Sequence, residues 1–389
     1  MTHSCALVLG GRSHRSLAVV RHLGRRGIFL RTVDTAPSNF GISRYTNDPV
    51  LLRESKEAPL LQALIALSKE EEKNPVLLPT SPLHTAFMAK YFSQLKEYFR
   101  FPADKVEDLL CNGNLFSDLA PETADIIDDD AFPISVATAV GFPCLIKPRS
   151  AKGSPEPAQF ISGPAALSRA VEDLSNKDAY VVERYIPGDV SNNCMATLYY
   201  AEGARLTGFV TAEVLRQWPE AVGSATYVKQ KWIPELIGLV HPRLKAVDFR
   251  GLINVRFKRD EFSRKIYVTG CDTAFSSETE LHTHLGFDTP YLYYLDALGE
   301  PLPKTFFQSD TNCHFKDGYG DMKAVYSYLK SGHMGLMKIL SDYKFRKVPA
   351  TWAWDDMGPG LNKLGSVGLR GLKHLVKKWP LKKPFDDFS

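Results

Sequence analysis

The fold of this chain is decided by the stretch Glu213-Val214-Leu215-Arg216-Gln217-Trp218-Pro219. It is followed by Gly223-Ser224-Ala225-Thr226 and, further along the chain, by Arg256-Phe257-Lys258-Arg259-Asp260. Apolar and β-branched residues favour strands, and the intervening Pro and Gly favour a turn. Taken alone, these residues predict a strand, a turn and a second strand. Their functional meaning depends on the segments around them.

The composition is that of an ordinary globular protein. The chain has 389 residues, of which 44% are hydrophobic and 24% charged, so it can bury a large core and form two or three domains. The net charge of +4 is too small to indicate nucleic-acid binding. No apolar run is long enough to span a membrane. We therefore expect a cytoplasmic protein without a nucleic-acid partner.

The six cysteines are scattered, and no two of them form a C-x-x-C pair. This spacing indicates neither a zinc knuckle nor a disulfide framework, and reduced thiols in the cytosol fit it best. The cysteines are Cys5, Cys111, Cys144, Cys194, Cys271 and Cys313.

The N-terminal residues predict a βαβ unit. Residues 5–10 form a strand that ends in Gly10-Gly11, a helical pattern follows, and Ile28–Asp34 form a second strand. A strand, a crossover helix and a second strand imply a parallel sheet. The glycine pair is not a G-x-G-x-x-G fingerprint, so a dinucleotide is not indicated.

A buried strand with one lysine near its end follows at Gly141–Pro148. Lysine is rarely buried without a partner, so Lys147 is predicted to face an anion or a carboxylate. The next residues, 149–154, are small, polar and basic. They suit either a mobile flap whose N–H groups approach phosphates or an ordinary exposed hairpin loop.

A further strand, rich in β-branched residues, runs from Tyr180 into the Pro187-Gly188 turn. Such a strand can offer backbone N–H and C=O groups to an adenine edge, while apolar side chains pack on the faces of the base. Its place after the Lys147 strand and the basic loop favours this interpretation.

The ordered set of segments resembles the ATP-grasp superfamily, in its carboxylate–amine ligase-like branch. In that fold two α+β lobes clamp ATP. The resemblance extends from Leu9-Gly10-Gly11 to about Gly299. The segments that carry it are Phe142–Pro148, Val181–Gly188, Leu215–Pro219 with Gly223–Ala225, and Arg250–Asp260.

The resemblance implies a mixed α/β and α+β protein with a Rossmann-like first domain and a helical C-terminal tail. The expected domains are 1–105, Rossmann-like; 106–187, the first ATP-grasp lobe; 188–304, the second lobe; and 305–389, a helical extension with a basic tail.

The family's chemistry is the formation of an acyl phosphate from a carboxylate and ATP, followed by attack of an amine. By resemblance, Lys147 would contact the phosphates and Arg216 would be the catalytic residue that steadies the acyl phosphate. The resemblance also implies a small carboxylate substrate and Mg²⁺ held by carboxylates. The implied ATP-binding residues are Lys147, Ser150, Lys152, Gly153, Ser154, Glu183, Arg184, Tyr185 and Ile186.

The chain departs from the family pattern where the pattern carries charge. A family lysine falls on Asn112-Gly113, and the two metal-binding glutamates fall on Arg256 and Gly270. Asp272 remains as a metal ligand, but one carboxylate beside an arginine is a poor Mg²⁺ site. Two interpretations follow: an active ligase, or a degenerate pseudoenzyme that binds a ligand or a partner.

Arg256 suggests an alternative to the metal. Arg256 and Asp272 are expected on neighbouring strands and on the same face. The guanidinium of Arg256 would then pair with Asp272 in the empty site and with phosphate in the occupied one.

Acidic and histidine side chains cluster just after Asp272. Pairs four residues apart would share helix faces, so the cluster is either a relocated metal site or an ordinary polar helix face. Its members are Glu278, Glu280, His282 and His284.

Residues 361–384 combine leucines and a tryptophan at helical spacing with many lysines. A basic amphipathic helix of this kind can lie on an anionic membrane surface, which would place the protein at the inner face of the membrane. The alternative is a solvated helix that docks on the domain by its leucines.

Because many relatives form dimers, the resemblance also implies a homodimer.

Overall fold

In the described part of the chain, three sheets form the frame of the protein, with four, seven and four strands. The structure is a computed structural model. It describes residues 4–11, 13–35, 43–54, 56–102, 115–127, 132–149, 158–220, 222–303 and 309–366.

The first sheet is parallel, with strands β1 (Ala6–Leu9), β2 (Leu30–Asp34), β3 (Asp48–Leu51) and β4 (Val76–Pro79). Their order across the sheet is β3-β2-β1-β4. β1 and β4 are buried throughout, because this parallel sheet is covered on both faces. The predicted parallel start is confirmed. The helices of this region are α1 (His14–Gly24), α2 (Glu57–Lys69), α3 (Pro82–Lys90) and α4 (Phe92–Leu95).

The second sheet is antiparallel, with strands β5 (Thr123–Asp125), β6 (Cys144–Pro148), β7 (Gln159–Ile161) and β8 (Tyr180–Arg184) in the order β5-β8-β6-β7. Helices α5 (Phe132–Ala139) and α6 (Pro164–Glu172) supply Val136 and Leu167 to a core shared with Ile146 and Val182. Side chains alternate between the faces of a strand, so Lys147 and Glu183 lie on the opposite face.

The third sheet is the largest and has the order β13-β12-β9-β10-β11-β14-β15. Neighbouring strands within this sheet are antiparallel, except for the parallel pair β14 and β15. The strand, turn and strand predicted at the outset form the β10–β11 hairpin. The strands are β9 (Asn193–Ala201), β10 (Arg205–Trp218), β11 (Ser224–Gln230), β12 (Gly251–Arg259), β13 (Ile266–Asp272), β14 (His314–Lys316) and β15 (Lys347–Pro349).

The helices of the C-terminal half pack around this sheet. α7 buries Leu236, Val240 and Leu244 in a core with β9 and β12. The region beyond residue 304 is mostly helical, as the resemblance implies, and it also supplies β14 and β15. The helices are α7 (Pro234–Ala246), α8 (Thr279–His284), α9 (Thr289–Leu298), α10 (Gly318–Ser331) and α11 (Leu336–Asp342).

Residues 358–366 are helical. The rest of the predicted amphipathic tail, 367–384, lies outside the described residues, so its membrane contact stays a prediction. Within the described ranges, every helix is too short or too polar to cross a membrane.

A buried ion pair connects the C-terminal region with α1. Arg21 Nε lies 2.9 Å from Asp356 Oδ2, and the two side chains are 0% and 2% exposed. Ser43 Oγ and the backbone N–H of Arg44 also donate to the Asp356 carboxylate. Residues 351–356 are therefore packed against the first sheet's helix layer.

Candidate active site

A cavity of about 410 Å³ lies between the second and third sheets. This volume falls within the roughly 300–1,000 Å³ of small-molecule sites. Strands β6 and β8 form one wall and β9 to β13 form the other, while Arg15 from α1 and the residues before α8 form the base. Polar and charged side chains from three parts of the fold thus meet in one cleft.

Lys147 and Glu183 form an ion pair on the first wall. They lie on the adjacent strands β6 and β8, with Lys147 opposite Val181 and Leu145 opposite Glu183. Burial raises the pKa of Glu183, and the positive charge of Lys147 opposes this rise. The prediction that the strand lysine faces a carboxylate or an anion is confirmed. The Lys147 side chain is 28% exposed and lines the cavity.

Lys258 from β12 reaches the same region from the second wall. Its Nζ lies 4.5 Å from the Tyr185 ring centroid and 3.4 Å from the Tyr185 hydroxyl, to which it donates. Lys258 is 9% exposed, and burial lowers its pKa to about 8, although Asp189 and Glu261 act in the opposite direction. The cleft therefore contains a buried ammonium whose charge is costly without an anion.

Arg256 and Asp272 form an ion pair, with 3.2 Å between Nη1 and Oδ2. The other Asp272 oxygen, Oδ1, accepts a 3.0 Å hydrogen bond from Asn254 Nδ2. Asn254 lies opposite Asp272 in the ladder of β12 and β13, and Arg256 lies opposite Gly270. The predicted proximity of Arg256 and Asp272 is confirmed.

The donor set around Asp272 does not fit the Mg²⁺ site of the family pattern. Mg²⁺ is held by carboxylate oxygens in octahedral geometry, and here one Asp272 oxygen is already paired with a guanidinium. The described part of the chain contains no group of three or more acidic, histidine or cysteine side chains placed for a metal ion. The family's metal chemistry therefore has no matching ligands at this position in the described structure.

The base of the cleft is formed by Arg15 and Glu278, which the sequence analysis did not combine. Arg15 Nε donates to Ser277 Oγ over 3.3 Å, across 262 positions of sequence. Glu278 is 6% exposed. Burial raises its pKa, and the charge of Arg15 opposes the rise. A cation and a carboxylate thus lie together where α1 meets the segment before α8.

The other members of the acidic and histidine cluster face elsewhere. Glu280 Oε2 lies 3.1 Å from His22 Nε2, outside the cleft. His282 is buried, and burial lowers its pKa to about 3. The relocated metal site is therefore not formed, and the interpretation as an ordinary helix face describes Glu280 better.

Arg216 does not lie in the cleft, and the prediction that its side chain faces there is wrong. The guanidinium is fully buried. Its Nε donates to Asp321 Oδ1 over 2.7 Å, and its Nη1 donates to Asp342 Oδ2 over 2.8 Å. The rings of Tyr227 and Tyr343 flank it, with centroids 4.2 and 5.2 Å from Cζ.

The reason for this placement is an irregularity in β10. Its pairing with β11 shifts register between Val214 and Arg216 and again between Arg216 and Gln217. In a regular strand Val214 and Arg216 would share a face. With the shifts, Val214 and Gln217 line the cleft, and Arg216 lies among the C-terminal helices. A β-bulge of this kind redirects a side chain without changing the sequence pattern.

The remaining implied ATP-binding residues divide into two groups. Arg184, Tyr185 and Ile186 line the cavity, although the Arg184 guanidinium is engaged by Glu122 at 3.2 Å. The basic loop residues lie outside the described part of the chain, so their role stays a prediction. They are Ser150, Lys152, Gly153 and Ser154.

No family model matches the sequence. No curated relative matches it either. Solved structures do match. A biotin carboxylase domain dimer from Hydrogenobacter thermophilus, in complex with MgADP, ADP and bicarbonate, has a TM-score of 0.59 at 15% identity, over 80% of this chain and 73% of that chain.

Two further solved structures match with similar scores. N5-carboxyaminoimidazole synthetase from Staphylococcus aureus, complexed with ADP, has a TM-score of 0.60 at 13% identity, over 78% of this chain and 80% of that chain. L-amino acid ligase from Bacillus licheniformis has a TM-score of 0.58 at 13% identity, over 77% and 75% of the two chains. Likeness at these identities shows the fold.

Proposed function

We propose that this chain, which has the ATP-grasp fold, binds ATP in the cleft between its second and third sheets and acts as a carboxylate–amine ligase. The observation that carries the proposal is a set of cations on both walls of one cavity. Lys147 comes from the second sheet, and Lys258 and Arg256 come from the third. A triphosphate is the ligand that suits several converging cations, because it carries several negative charges within a short length.

The segment at the end of β8 would hold the base. Tyr185 and Ile186 line the cavity next to the Lys147–Glu183 pair. Ile186 is buried, and the Phe160 ring meets the Tyr185 ring edge-on at 5.1 Å. An apolar wall of this kind provides a stacking surface for a purine. A solved structure of the same fold is a complex with ADP, which supports an adenine nucleotide as the ligand.

The reaction would proceed in two balanced steps. A carboxylate oxygen of the substrate attacks the γ-phosphorus, the bond to the β,γ-bridging oxygen breaks, and ADP leaves. The nitrogen of an amine then attacks the acyl carbon, phosphate leaves with the bonding electrons, and the amine gives up a proton. The protein's part is alignment and positive charge, supplied here by Lys147, Lys258 and Arg256.

Arg15 is the residue we assign to the substrate acid, in place of Arg216. It faces the base of the cleft beside the buried Glu278. A planar guanidinium can hold a carboxylate through two parallel hydrogen bonds. Glu278 would accept a hydrogen bond from the neutral amine of the second substrate, which keeps the nitrogen lone pair free for attack. Arg15 would therefore hold the substrate acid next to the nucleotide.

A non-catalytic nucleotide-binding protein is the second candidate. The Arg256–Asp272 ion pair favours this candidate, because Arg256 stands where the family pattern has a metal-binding glutamate. Both candidate proteins would bind ATP in the cleft, but only the ligase would convert it to ADP.

Formation of ADP separates the two candidates. The purified chain is incubated with ATP, a panel of small carboxylic acids and a panel of amines. We expect ADP and phosphate to appear only when acid and amine are both present. Arg15→Met is expected to abolish this acid-dependent release while ATP still binds. Binding of ATP without turnover on any acid and amine would favour the non-catalytic protein.

ATP affinity is expected to fall as the pH rises through 8, because Lys258 has a pKa lowered to about 8. Lys258 is charged below that pH and neutral above it, and a bound triphosphate favours the charged form. A charge-assisted hydrogen bond contributes about 1.5–3 kcal/mol, so we expect about a tenfold or greater loss of affinity from about pH 7 to about pH 9.5. Isothermal titration calorimetry at several pH values measures it.

Two variants identify Lys258 as the source of this pH dependence. Lys258→Arg remains charged throughout the range, so its affinity is expected to stay constant. Lys258→Met is expected to bind weakly at every pH. If Lys258→Met keeps the wild-type slope, another group titrates and the assignment to Lys258 is wrong.

A further inference from the structure

We propose that the guanidinium of Arg256 takes the place of a metal ion in the nucleotide site, so that ATP binds without Mg²⁺. The inference rests on the proposed ATP site and specifies how that site neutralises phosphate. Arg256 projects into the cleft from β12, and its side chain is 55% exposed. The guanidinium therefore has a fixed carboxylate on one side and open cavity on the other.

Asp272 holds the guanidinium in this place. The 3.2 Å contact between Arg256 Nη1 and Asp272 Oδ2 leaves further N–H groups of the guanidinium for an anion. Asp272 is itself fixed by Asn254, which also donates to the Ala274 carbonyl over 2.6 Å. Thr197 Oγ1 donates to Asn254 Oδ1 over 2.8 Å. The ion pair thus rests on a hydrogen-bonded support that spans β9, β12 and β13.

Gly270 provides the space in which the guanidinium lies. A Cβ placed on Gly270 would be 2.9 Å from Arg256 Nη2 and 3.3 Å from Nε. Any side chain at 270 would therefore displace the guanidinium. Residues 256 and 270 are partners in the ladder of β12 and β13. Arginine at 256 and glycine at 270 fit together as one arrangement, in which the small residue accommodates the large cation.

The charges of the site support the same inference. Mg²⁺ entering here would meet the positive guanidinium and one carboxylate that is already paired. A planar guanidinium binds phosphate oxygens through two hydrogen bonds and does not shed a hydration shell as Mg²⁺ does. Together with Lys147 and Lys258, Arg256 supplies three positive charges to the cleft from fixed side chains.

Calorimetric titration of the full chain with ATP tests the inference, once with EDTA and once with Mg²⁺. We expect dissociation constants that agree within about threefold, since the cation is part of the protein. Arg256→Gln is expected to weaken ATP binding about tenfold or more in EDTA. The control is Arg259→Gln on the same strand, where the arginine pairs with Glu235 at 2.9 Å and does not line the cleft.

A double variant replaces the arginine and glycine of this site by two carboxylates. Arg256→Glu with Gly270→Glu restores two carboxylates at the family positions, and we expect ATP binding to become at least about tenfold tighter in Mg²⁺ than in EDTA. Circular dichroism confirms that each variant is folded.

The outcomes distinguish this inference from the proposed function. If wild-type protein binds ATP only in Mg²⁺, or if Arg256→Gln binds as well as wild type, the cation substitution is wrong and the nucleotide site stands. If wild-type protein binds no ATP in either buffer, the proposed function itself fails.

Discussion

Replacing Arg216 by leucine is expected to lower the free energy of unfolding by about 3–5 kcal/mol, the usual cost of leaving buried charges without their partner. Arg216 and Asp321 are both fully buried, and Asp342 is 5% exposed at its side chain. Without the guanidinium, the carboxylates of Asp321 and Asp342 would keep Lys316 and Lys338 as cationic neighbours, at 3.8 and 3.1 Å, and would repel each other. Urea denaturation followed by circular dichroism measures the change.

The matched control for this variant is Arg205→Leu, since Arg205 lies on the same strand and is exposed. We expect it to change stability by less than about 0.5 kcal/mol. The folded Arg216→Leu protein should still bind ATP with wild-type affinity, because Arg216 is outside the cleft. Loss of ATP affinity with unchanged stability would restore the earlier interpretation of Arg216 as a catalytic residue.

Lys147→Ala is expected to reduce ATP affinity by about 10- to 100-fold, because it removes a charged donor from the phosphate region. The change also leaves Glu183 buried without its cation, and that carboxylate would repel the nucleotide. Two effects thus act in the same direction. Calorimetric titration of ATP measures their sum.

A double variant separates the two effects. In Lys147→Ala combined with Glu183→Gln, no unpaired charge remains on this wall. We expect affinity to stay at least about tenfold below wild type, because the phosphate contact is still missing. Full recovery in the double variant would mean that Lys147 only neutralises Glu183 and contributes no contact to the nucleotide.

The fold was predictable because its evidence is local and ordered along the chain. The β6 strand with Lys147, the β8 strand and the β10–β11 hairpin each have a distinctive pattern, and the structure forms all of them. The proximity of Arg256 and Asp272 was predictable for a similar reason, because neighbouring antiparallel strands bring such positions together.

The orientation of Arg216 was not predictable, because it depends on a bulge and on distant partners. Asp321 and Asp342 lie 105 and 126 positions further along the chain. No pattern within β10 indicates that its register shifts at this point. Regular strand alternation predicts that Arg216 shares the cleft-facing side of β10 with Val214. The register shift turns its side chain to the other side.

The sequence does not predict that Arg15 and Glu278 meet at the base of the cleft, because no local sequence pattern connects them. Arg15 belongs to the first helix and Glu278 precedes α8, and only the packing of α1 brings them together. Lys258 was a different case, since it is two residues from Arg256 and strand alternation places both on one side.

The junction between Asp356 and α1 determines where this protein can be shortened. A chain cut at residue 303 would lose β14 and β15 and would leave Arg21 and Arg216 as buried cations without their carboxylates. We expect such a fragment to be unstable and to fold poorly when it is expressed. Deletions meant to probe the lysine-rich terminus for lipid attachment should therefore begin no earlier than residue 367, so that any loss of vesicle binding is not a symptom of unfolding.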